Sequence, residues 1–284
     1  MTAQAKLARR APKAVAASKK APKEAPSLPK STSASLGQRA QAASAPLQSA
    51  ESVQVYLRTV PTPLGPFSLY VDADGAVRFC HWRRSAPGDA AALCAEAQEV
   101  CATMQSRWYK RTPVTVAGVW ADGADGASGL PGERAVTLMR NYFNPSTAKA
   151  GRPEELERLL LQVPIIYPPA SAFMAQTWAT LRHTVPSGKT ISYKGLGVRV
   201  NKALNLPASA AVAPRAIGVA MGANPIPVIV PCHRVLSSTN SLCGYGLGLR
   251  FKVWLLRHEQ AGAATNKLRV GEEETAVSTA ASRR

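Results

Sequence analysis

Apolar and polar side chains alternate in three short runs along the first half of the chain, at 53–60, 67–71 and 76–82. A period of two is typical of strands with one buried face. Turn-forming residues separate the runs, at 61–65 and at 72–75, where Asp-Ala-Asp-Gly is a hairpin signal. The alternation therefore predicts three antiparallel strands.

The pattern then changes to helical spacing. Residues 89–104 carry Ala, Leu and Cys at the spacing of an amphipathic helix, with Asp89 as its predicted N-cap. A shorter helix is predicted over 154–162, ahead of an extended connector. The remaining stretches of this half are rich in turn-forming residues and predict a loop at 118–132 and a linker at 145–152.

Helical spacing resumes at Ser171 and ends in a Val-Pro-Ser-Gly sequence. Ser192 is the predicted N-cap of a second helix, which runs to Val200. Pro214 occupies the first position of a third helix over 215–222, a favoured place for proline. Two helices joined by a turn, the second rich in Gly and Ala, are as typical of DNA docking as of ordinary helix packing.

These elements predict an α+β protein. A small sheet-and-helix domain is expected over 53–150, and a mainly helical, winged-helix-like domain over 171–260, with a linker at 151–170 between them. A chain of 284 residues with 46% hydrophobic content is long enough for one large or two small cores. Residues 1–50 and 261–284 show no usable periodicity and are predicted to be disordered tails.

The net charge of +18 is unevenly distributed. Residues 1–50 contain nine Lys or Arg and one acid, a net charge of +8, and 171–260 contain ten Lys or Arg against Glu259 alone, a net charge of +9. A folded half that is basic almost throughout suits a polyanion, most simply nucleic acid. We therefore expect DNA as the partner.

The basic segment 1–50 has three possible meanings. Its Lys clusters suit nuclear import or phosphate contacts, whereas an Arg-, Ala- and Ser-rich leader with almost no acid also resembles a transit peptide to an organelle. A solvated tail with no address is equally compatible. We expect the nucleus, with the mitochondrion as the alternative; no apolar run approaches the ~20 residues of a membrane span, so no membrane partner is expected.

The five cysteines are odd in number and irregularly spaced, which argues against a disulfide framework and for a reducing compartment. A zinc site would need tightly spaced Cys and His pairs facing each other. Cys80 and His81 with Cys94 and Cys101 imitate such a site only weakly, so we expect no metal. No cofactor motif is present, and no cofactor is expected.

Cys232 follows an apolar run held between two prolines, in the sequence Asn-Pro-Ile-Pro-Val-Ile-Val-Pro-Cys-His-Arg-Val-Leu over 224–236. Proline fixes φ and removes a donor, so the segment is predicted to be stiff and extended. A cysteine next to an imidazole is typical of an activated nucleophile. Taken alone, a buried structural cysteine beside a surface histidine is the more frequent case.

The motifs together resemble the O6-alkylguanine-DNA alkyltransferase family. The resemblance is strong over 171–260 and looser over the strands at 53–82. The residues that carry it are Tyr193, Arg215, Asn224-Pro, the Pro-Cys-His-Arg-Val of 231–235, Gly244-Tyr245, Gly248-Leu249 and the Trp-Leu-Leu-Arg-His-Glu of 254–259. It implies single-turnover repair, in which a flipped O6-alkylguanine in double-stranded DNA transfers its alkyl group irreversibly to Cys232; the protein is expected to act as a monomer.

The resemblance also assigns roles to individual residues. Cys232 is the nucleophile, His233 takes its proton, Glu259 orients His233, and Asn224 fixes the turn that carries the cysteine. Because neighbouring side chains on an extended strand diverge, Cys232 and His233 are expected to communicate through a water. Tyr193 crowds the phosphate and donates a proton to the leaving guanine, and Arg215 fills the space that the flipped base vacates. The remaining residues form two groups: Ala216, Gly222 and Arg234 at the DNA, and Pro227, Val235, Tyr245, Gly246 and Leu247 around the substrate.

The chain departs from the family pattern at three places: extra residues at 202–213, Gly222-Ala223 where many relatives carry a polar or basic residue, and Leu247 where many carry Gly. Two alternatives to transfer lack a use for Cys232. These are a lesion-binding relative that flips the base without reaction, and a winged-helix regulator. A cysteine hydrolase would need an oxyanion hole, for which the sequence has no signal.

Overall fold

The computed structural model describes residues 52–120, 129–144, 146, 153–207 and 210–261. The predicted tail at 1–50, most of the linker at 145–152 and the centre of the loop at 118–132 lie outside these residues. So does the predicted tail at 261–284 except for Ala261, which is buried. The described part is an α+β fold, as predicted. The division of the chain into two domains at 151–170 stays a prediction.

The predicted hairpins are confirmed. Strands β1 (Val53–Val60), β2 (Phe67–Val71) and β3 (Val77–Trp82) pair in antiparallel order. A fourth strand, β4 (Val114–Trp120), pairs in parallel with β1 and completes the order β3-β2-β1-β4. The last three residues of β4 occupy the start of the stretch predicted as a loop, so that part of the prediction is wrong: Gly118, Val119 and Trp120 pair with β1.

Two helical layers cover the sheet. Helix α1 (Ala90–Met104) begins at Asp89, whose side chain accepts from the Ala92 N–H, as predicted. It continues as a π-helical turn, Gln105–Tyr109. Two further helices complete this half, namely α2 (Glu133–Phe143), which was not predicted, and α3 (Pro153–Gln162), which was.

The second half contains the predicted helices in the predicted order. They are α4 (Ala172–Thr184), α5 (Tyr193–Ala203) with Ser192 as its N-cap, and α6 (Pro214–Gly222) with proline at N1. A short parallel pair joins β5 (Ile191–Ser192) to β6 (Val235–Leu236), and α7 (Leu249–His258) follows. A side chain at Gly197 of α5 would lie 2.8 Å from the Val212 carbonyl, so α5 and the loop before α6 approach too closely for a Cβ.

The two faces of the sheet belong to different cores. In β2, Phe67, Leu69 and Val71 pack in a large cluster that extends through α2, α4 and α6 to Cys232, whereas Tyr70 points into a smaller cluster with α1. The first half therefore packs directly behind the segment that carries the predicted nucleophile. None of the helices in the described residues is long and apolar enough to cross a membrane.

Candidate active site

The segment 224–236 is not extended throughout, which corrects the prediction. Cys232–Arg234 form a single 3-10 turn between Val230 and β6. Asn224 anchors the stretch before this turn: its Nδ2 donates to the Val230 carbonyl at 2.9 Å, and its Oδ1 accepts from the Ile226 N–H at 3.0 Å. In the turn, His233 lies beside the buried acid described below.

Backbone strain marks the same segment. The buried residue Val228, which follows Pro227, has a φ of 74°. A β-branched side chain with positive φ is a rare conformation and costs about 1–3 kcal/mol. The surrounding core, in which Ile226, Ile229 and Val230 are fully buried, offsets this cost and holds the segment in place.

Cys232 is buried in the large hydrophobic cluster, with a few polar groups near its thiol. Burial raises the pKa of Cys232, while the Asn224 hydrogen bond to Sγ at 3.2 Å, the charge of Lys252 and the Tyr245 hydroxyl lower it. The buried Tyr245 hydroxyl meets no described atom with full hydrogen-bond geometry, so its effect on Cys232 comes from proximity to the sulfur. Three neighbours therefore favour the thiolate against the effect of burial.

His233 is completely buried, and its Nε2 lies 3.1 Å from Oε1 of Glu259. Burial lowers the pKa of His233, and the Glu259 carboxylate opposes this shift. The imidazole is therefore held neutral and able to accept a proton. Neither ring nitrogen makes a hydrogen bond of full geometry to a described residue; Nε2 has the close contact with Glu259, and Nδ1 has none of this kind. The water between Cys232 and His233 stays a prediction.

Arg234 was predicted to contact DNA, and the structure contradicts this. Its guanidinium is completely buried and binds Glu259 through both carboxylate oxygens, Nε to Oε2 at 2.9 Å and Nη2 to Oε1 at 2.8 Å. Nη1 donates to Glu157 at 2.8 Å. Two carboxylates offset the cost of burying the cation, whereas the family resemblance had implied a side chain at the DNA.

Burial alone would raise the pKa of Glu259, but the charge of Arg234 and the contact with His233 hold it well below its usual range. Glu259 is therefore a carboxylate at neutral pH. It stands at the C-terminal end of α7, where its position follows from the helix that precedes it.

Two side chains of this network come from the first half of the chain and were missed by sequence reasoning. Tyr142 of α2 is fully buried and donates its hydroxyl to Glu259 Oε1 at 2.7 Å. Glu157 of α3 is the second acid on Arg234 and also accepts from the Ser187 N–H. No short-range signal connects residues so distant along the chain.

Lys252 was also missed. It is buried in α7, and its Nζ donates to the carbonyls of Val235 and Leu242. Burial lowers its pKa to about 8. At neutral pH this lysine is still mostly charged, and its charge lowers the pKa of Cys232. The helix that carries it, α7, was not predicted, so no helical pattern had indicated its burial.

The residues predicted to surround the substrate occupy one side of Cys232. Val235 and Pro227 are buried, and the Pro227 carbonyl accepts from the Cys80 thiol at 3.2 Å. Tyr245 and Leu247 are partly buried against the cluster that contains Cys232, as is Tyr193. Gly246, by contrast, is exposed beside them.

The residues predicted at the DNA lie along α5 and α6. Tyr193 begins α5, and burial raises its pKa, as do Cys243 and Cys232. Its ring lies against α6, 3.9 Å from where a Cβ on Gly218 would be. Arg215, the second residue of α6, and Gly222, its last, are exposed, and Ala216 is partly exposed. The structure therefore gathers these residues on the surface side of the same helix pair.

Known proteins match this half of the chain. The family model described as "6-O-methylguanine DNA methyltransferase, DNA binding domain" matches residues 172–261. The methylated-DNA–protein-cysteine methyltransferase of Shigella flexneri is 41% identical over 87 residues, which cover 31% of this chain and 46% of that protein. The protein of the same name from Homo sapiens is 36% identical over 111 residues, 38% of this chain and 49% of that one.

This chain thus spans about half the length of the curated relatives it matches. A crystal structure of the Mycobacterium tuberculosis O6-methylguanine methyltransferase is 22% identical and aligns with a TM-score of 0.45, covering 73% of this chain and 93% of that one.

Proposed function

We propose, from the membership of residues 172–261 in the 6-O-methylguanine DNA methyltransferase DNA-binding domain family, that this protein repairs DNA by direct transfer of an alkyl group. The substrate is O6-alkylguanine in double-stranded DNA, and the acceptor is Cys232. The exposed basic surface of the second half, with Arg215 at the start of α6, supports DNA as the partner.

One observation carries the proposal: a buried thiol directly precedes a buried histidine whose Nε2 lies against a buried carboxylate. Glu259 contacts His233 Nε2 at 3.1 Å and leaves Nδ1 free of described partners. This is the arrangement of a nucleophile, a base and an orienting acid. A domain that only bound DNA would have no need to bury these groups together, since their burial is costly.

The chemistry requires no group beyond these side chains and the substrate. The thiol loses its proton to His233, and the thiolate attacks the alkyl carbon opposite the C–O6 bond. A C–S bond forms, the C–O6 bond breaks, and its electron pair leaves with guanine, which takes up a proton. The sum is the conversion of a thiol and an O6-alkylguanine into a thioether and guanine. A neutral thioether is a poor leaving group, so each chain reacts once.

The base must leave the duplex before its O6 atom can reach a buried sulfur. Arg215 at the exposed start of α6 suits insertion into the vacated stack, and Tyr193 lies between α6 and Cys232, where it suits contact with the rotated nucleotide. Tyr245 and Leu247 then flank the base. We further propose that the protein acts as a monomer in the nucleus, the basic segment 1–50 being the support for that location.

Intact-mass titration tests the proposal. A duplex containing O6-methylguanine is expected to add one methyl group per chain, on the Cys232 peptide, and no more at any excess of DNA. Cys232→Ser should add none, because a hydroxyl is far less acidic than a thiol and His233 cannot compensate for the difference. Cys101→Ser is the matched control; burial raises the pKa of Cys101 to about 11, so this thiol should contribute nothing.

Binding without any mass change in the wild type would identify a lesion-binding protein and refute the transfer. Repeated turnover would refute the thioether product. Methylation that persists in Cys232→Ser would move the acceptor to another residue.

A further inference from the structure

A side chain from the first half of the chain reaches the end of α6. Arg107 lies in the π-helical turn Gln105–Tyr109, and its Nη2 donates to the carbonyl of Gly222, the last residue of α6, at 3.0 Å. Arg107 is exposed, and it lies outside the residues 172–261 that match the DNA-binding family model. The contact therefore adds a guanidinium to the DNA-facing helix from a different part of the protein.

The charge at this end of α6 explains why a cation matters there. A helix C-terminus carries a partial negative charge, which repels phosphate. The last turn of α6 contains no basic residue, and Gly222 has no side chain. Arg107 offsets that charge with one of its five N–H donors, and its guanidinium carbon lies 5.1 Å from the centre of the Trp108 ring. Stacking on Trp108 pre-orients the remaining donors.

A groove of about 660 Å³ opens beside this contact. Arg107, Trp108 and Lys110 form one wall, and Met174 of α4 and Val219 of α6 contribute to the other. Val219 is 57% exposed on α6, and Lys110 is exposed with its Nζ bonded to the Ser106 carbonyl. No acidic side chain is among the described residues that line the groove. The basic side chains of this groove complement the phosphates of a sugar-phosphate backbone, and its apolar side chains complement the sugars.

We propose that the turn and the two residues after it, 105–111, form a second DNA contact, in which Arg107 and Lys110 bind phosphates of the strand that continues past the C-terminal end of α6. This inference rests on the proposed function, since it requires α6 to face DNA. The contact lies on one side of the lesion only, because Arg215 marks the other end of the same helix.

Salt dependence of binding separates a phosphate contact from a helix cap. Each phosphate contact contributes about 0.9 to the slope of log K against log salt concentration. Binding of an unmodified duplex, followed by fluorescence anisotropy over a salt series, should lose about 0.9 of slope in Arg107→Ala and keep the wild-type slope in Arg107→Lys, which retains the charge. The double variant Arg107→Ala/Lys110→Ala should lose about twice as much.

Arg158→Ala is the matched control. It removes one exposed positive charge from α3, where Arg158 is paired with Glu155, without touching α6. It should keep the wild-type slope. A slope in Arg107→Ala equal to that of the wild type, or an equal loss in Arg158→Ala, would overturn the proposal and leave Arg107 as a cap alone.

Duplexes with unequal arms sharpen the test. When O6-methylguanine stands close to one end, Arg107→Ala should weaken binding in only one of the two orientations, namely the one whose long arm passes the end of α6. Equal effects in both orientations would overturn the placement. Methyl transfer at saturating DNA should still reach one group per chain in Arg158→Ala. Failure of the wild type to transfer would instead count against the proposed function.

Discussion

Two buried clusters in this protein combine a histidine, a glutamate and an arginine, and only one of them is a candidate for catalysis. In the first half, His81 lies 3.7 Å from Glu96, whose carboxylate accepts the backbone N–H groups of Arg84 and Ser85. Both ring nitrogens of His81 have neighbours: Nδ1 is 2.8 Å from the Trp82 carbonyl, and Nε2 is 3.5 Å from the hydroxyl of the adjacent tyrosine on β2.

The second cluster differs in the contacts that the ring nitrogens of its histidine make. His233 touches Glu259 through Nε2, and its Nδ1 has no described partner. Burial lowers the pKa of both histidines, so their basicity does not distinguish them. The preceding cysteine does, because the Sγ of Cys232 accepts a hydrogen bond from Asn224, whereas the Cys80 thiol before His81 donates to the Pro227 carbonyl. A buried histidine and carboxylate become a candidate site only where the neighbouring cysteine is held in a way that favours its thiolate.

The arginines of the two clusters also differ in their exposure and in their binding partners. Arg84 is largely exposed and pairs with Glu99 at 2.7 Å on the surface of α1. Arg234 is completely buried and bonds both oxygens of Glu259. The first cluster therefore fastens a loop to a helix, whereas the second fixes the direction of one carboxylate. Parallel substitutions in the two clusters test this distinction.

The largest difference is expected for the two acids. Glu259→Gln leaves the buried Arg234 with half of its counter-charge and should cost about 3–5 kcal/mol of unfolding free energy. It should also slow methyl transfer at least ~100-fold, since His233 loses the charge that stabilises its protonated form. Glu96→Gln keeps an acceptor for the backbone of Arg84 and should cost about 1–3 kcal/mol, with transfer unchanged. Urea unfolding and single-turnover transfer measure the two effects.

A transfer rate that falls equally in both variants would show that the clusters are not functionally distinct. The double variant offers a control, because sites that do not interact should have additive unfolding costs.

Sequence alone indicated one of these clusters and not the other. Cys232, His233 and Glu259 stand in short motifs whose residue types are those of a nucleophile, a base and an acid, and these motifs could be read directly. Tyr142 could not be found in this way, because it lies 117 residues from Glu259 and meets it only through the packing of α2.

Two other misses have physical reasons of the same kind. Arg234 was assigned to the DNA contact from the family resemblance, yet the carboxylates of Glu157 and Glu259 hold it in the interior. Strand β4 is bordered by Gly, Ala and Asp and resembles a loop, but its parallel pairing with β1 satisfies its backbone. In each case the deciding partner is distant in the chain, whereas the three strands at 53–82 are set by neighbouring residues and were predicted correctly.

The two buried tyrosines should differ by less than the two acids. The Tyr142 hydroxyl bonds a carboxylate at 2.7 Å, so Tyr142→Phe should cost about 1.5–3 kcal/mol of unfolding free energy. The Tyr70 hydroxyl is 3.5 Å from His81, and Tyr70→Phe should cost about 0.5 kcal/mol. Removal of the Tyr142 donor leaves more charge on Glu259 and raises the pKa of His233.

The acid limb of the transfer rate should therefore move to higher pH in Tyr142→Phe and stay in place in Tyr70→Phe. An unmoved limb in Tyr142→Phe would make this tyrosine a packing residue only.

The smallest effect is expected in the acid stability of the fold. The pKa of Glu259 in the folded protein is held well below its usual range by Arg234 and His233, against the effect of burial. The unfolded chain therefore binds one more proton than the folded one below about pH 4.3, and stability falls with pH there by up to ~1.4 kcal/mol per unit. The contribution is present in full above that pH and is lost as pH falls towards the folded pKa.

Neutral His233 and His258 add a separate loss that begins near pH 6.5, because burial lowers the pKa of both. Urea unfolding of the wild type at a series of pH values should then show two pH ranges, or windows, in which the free energy of unfolding falls as the pH is lowered. Glu259→Gln should remove the loss of stability in the lower pH range and leave that in the upper range, since a glutamine does not titrate. Glu96→Gln should reduce the loss in the lower range by less, because backbone N–H groups rather than a buried cation lower the pKa of Glu96. A lower window that persists in Glu259→Gln would mean that another carboxylate dominates acid unfolding, and that the Arg234 pair contributes little to the difference between the two clusters.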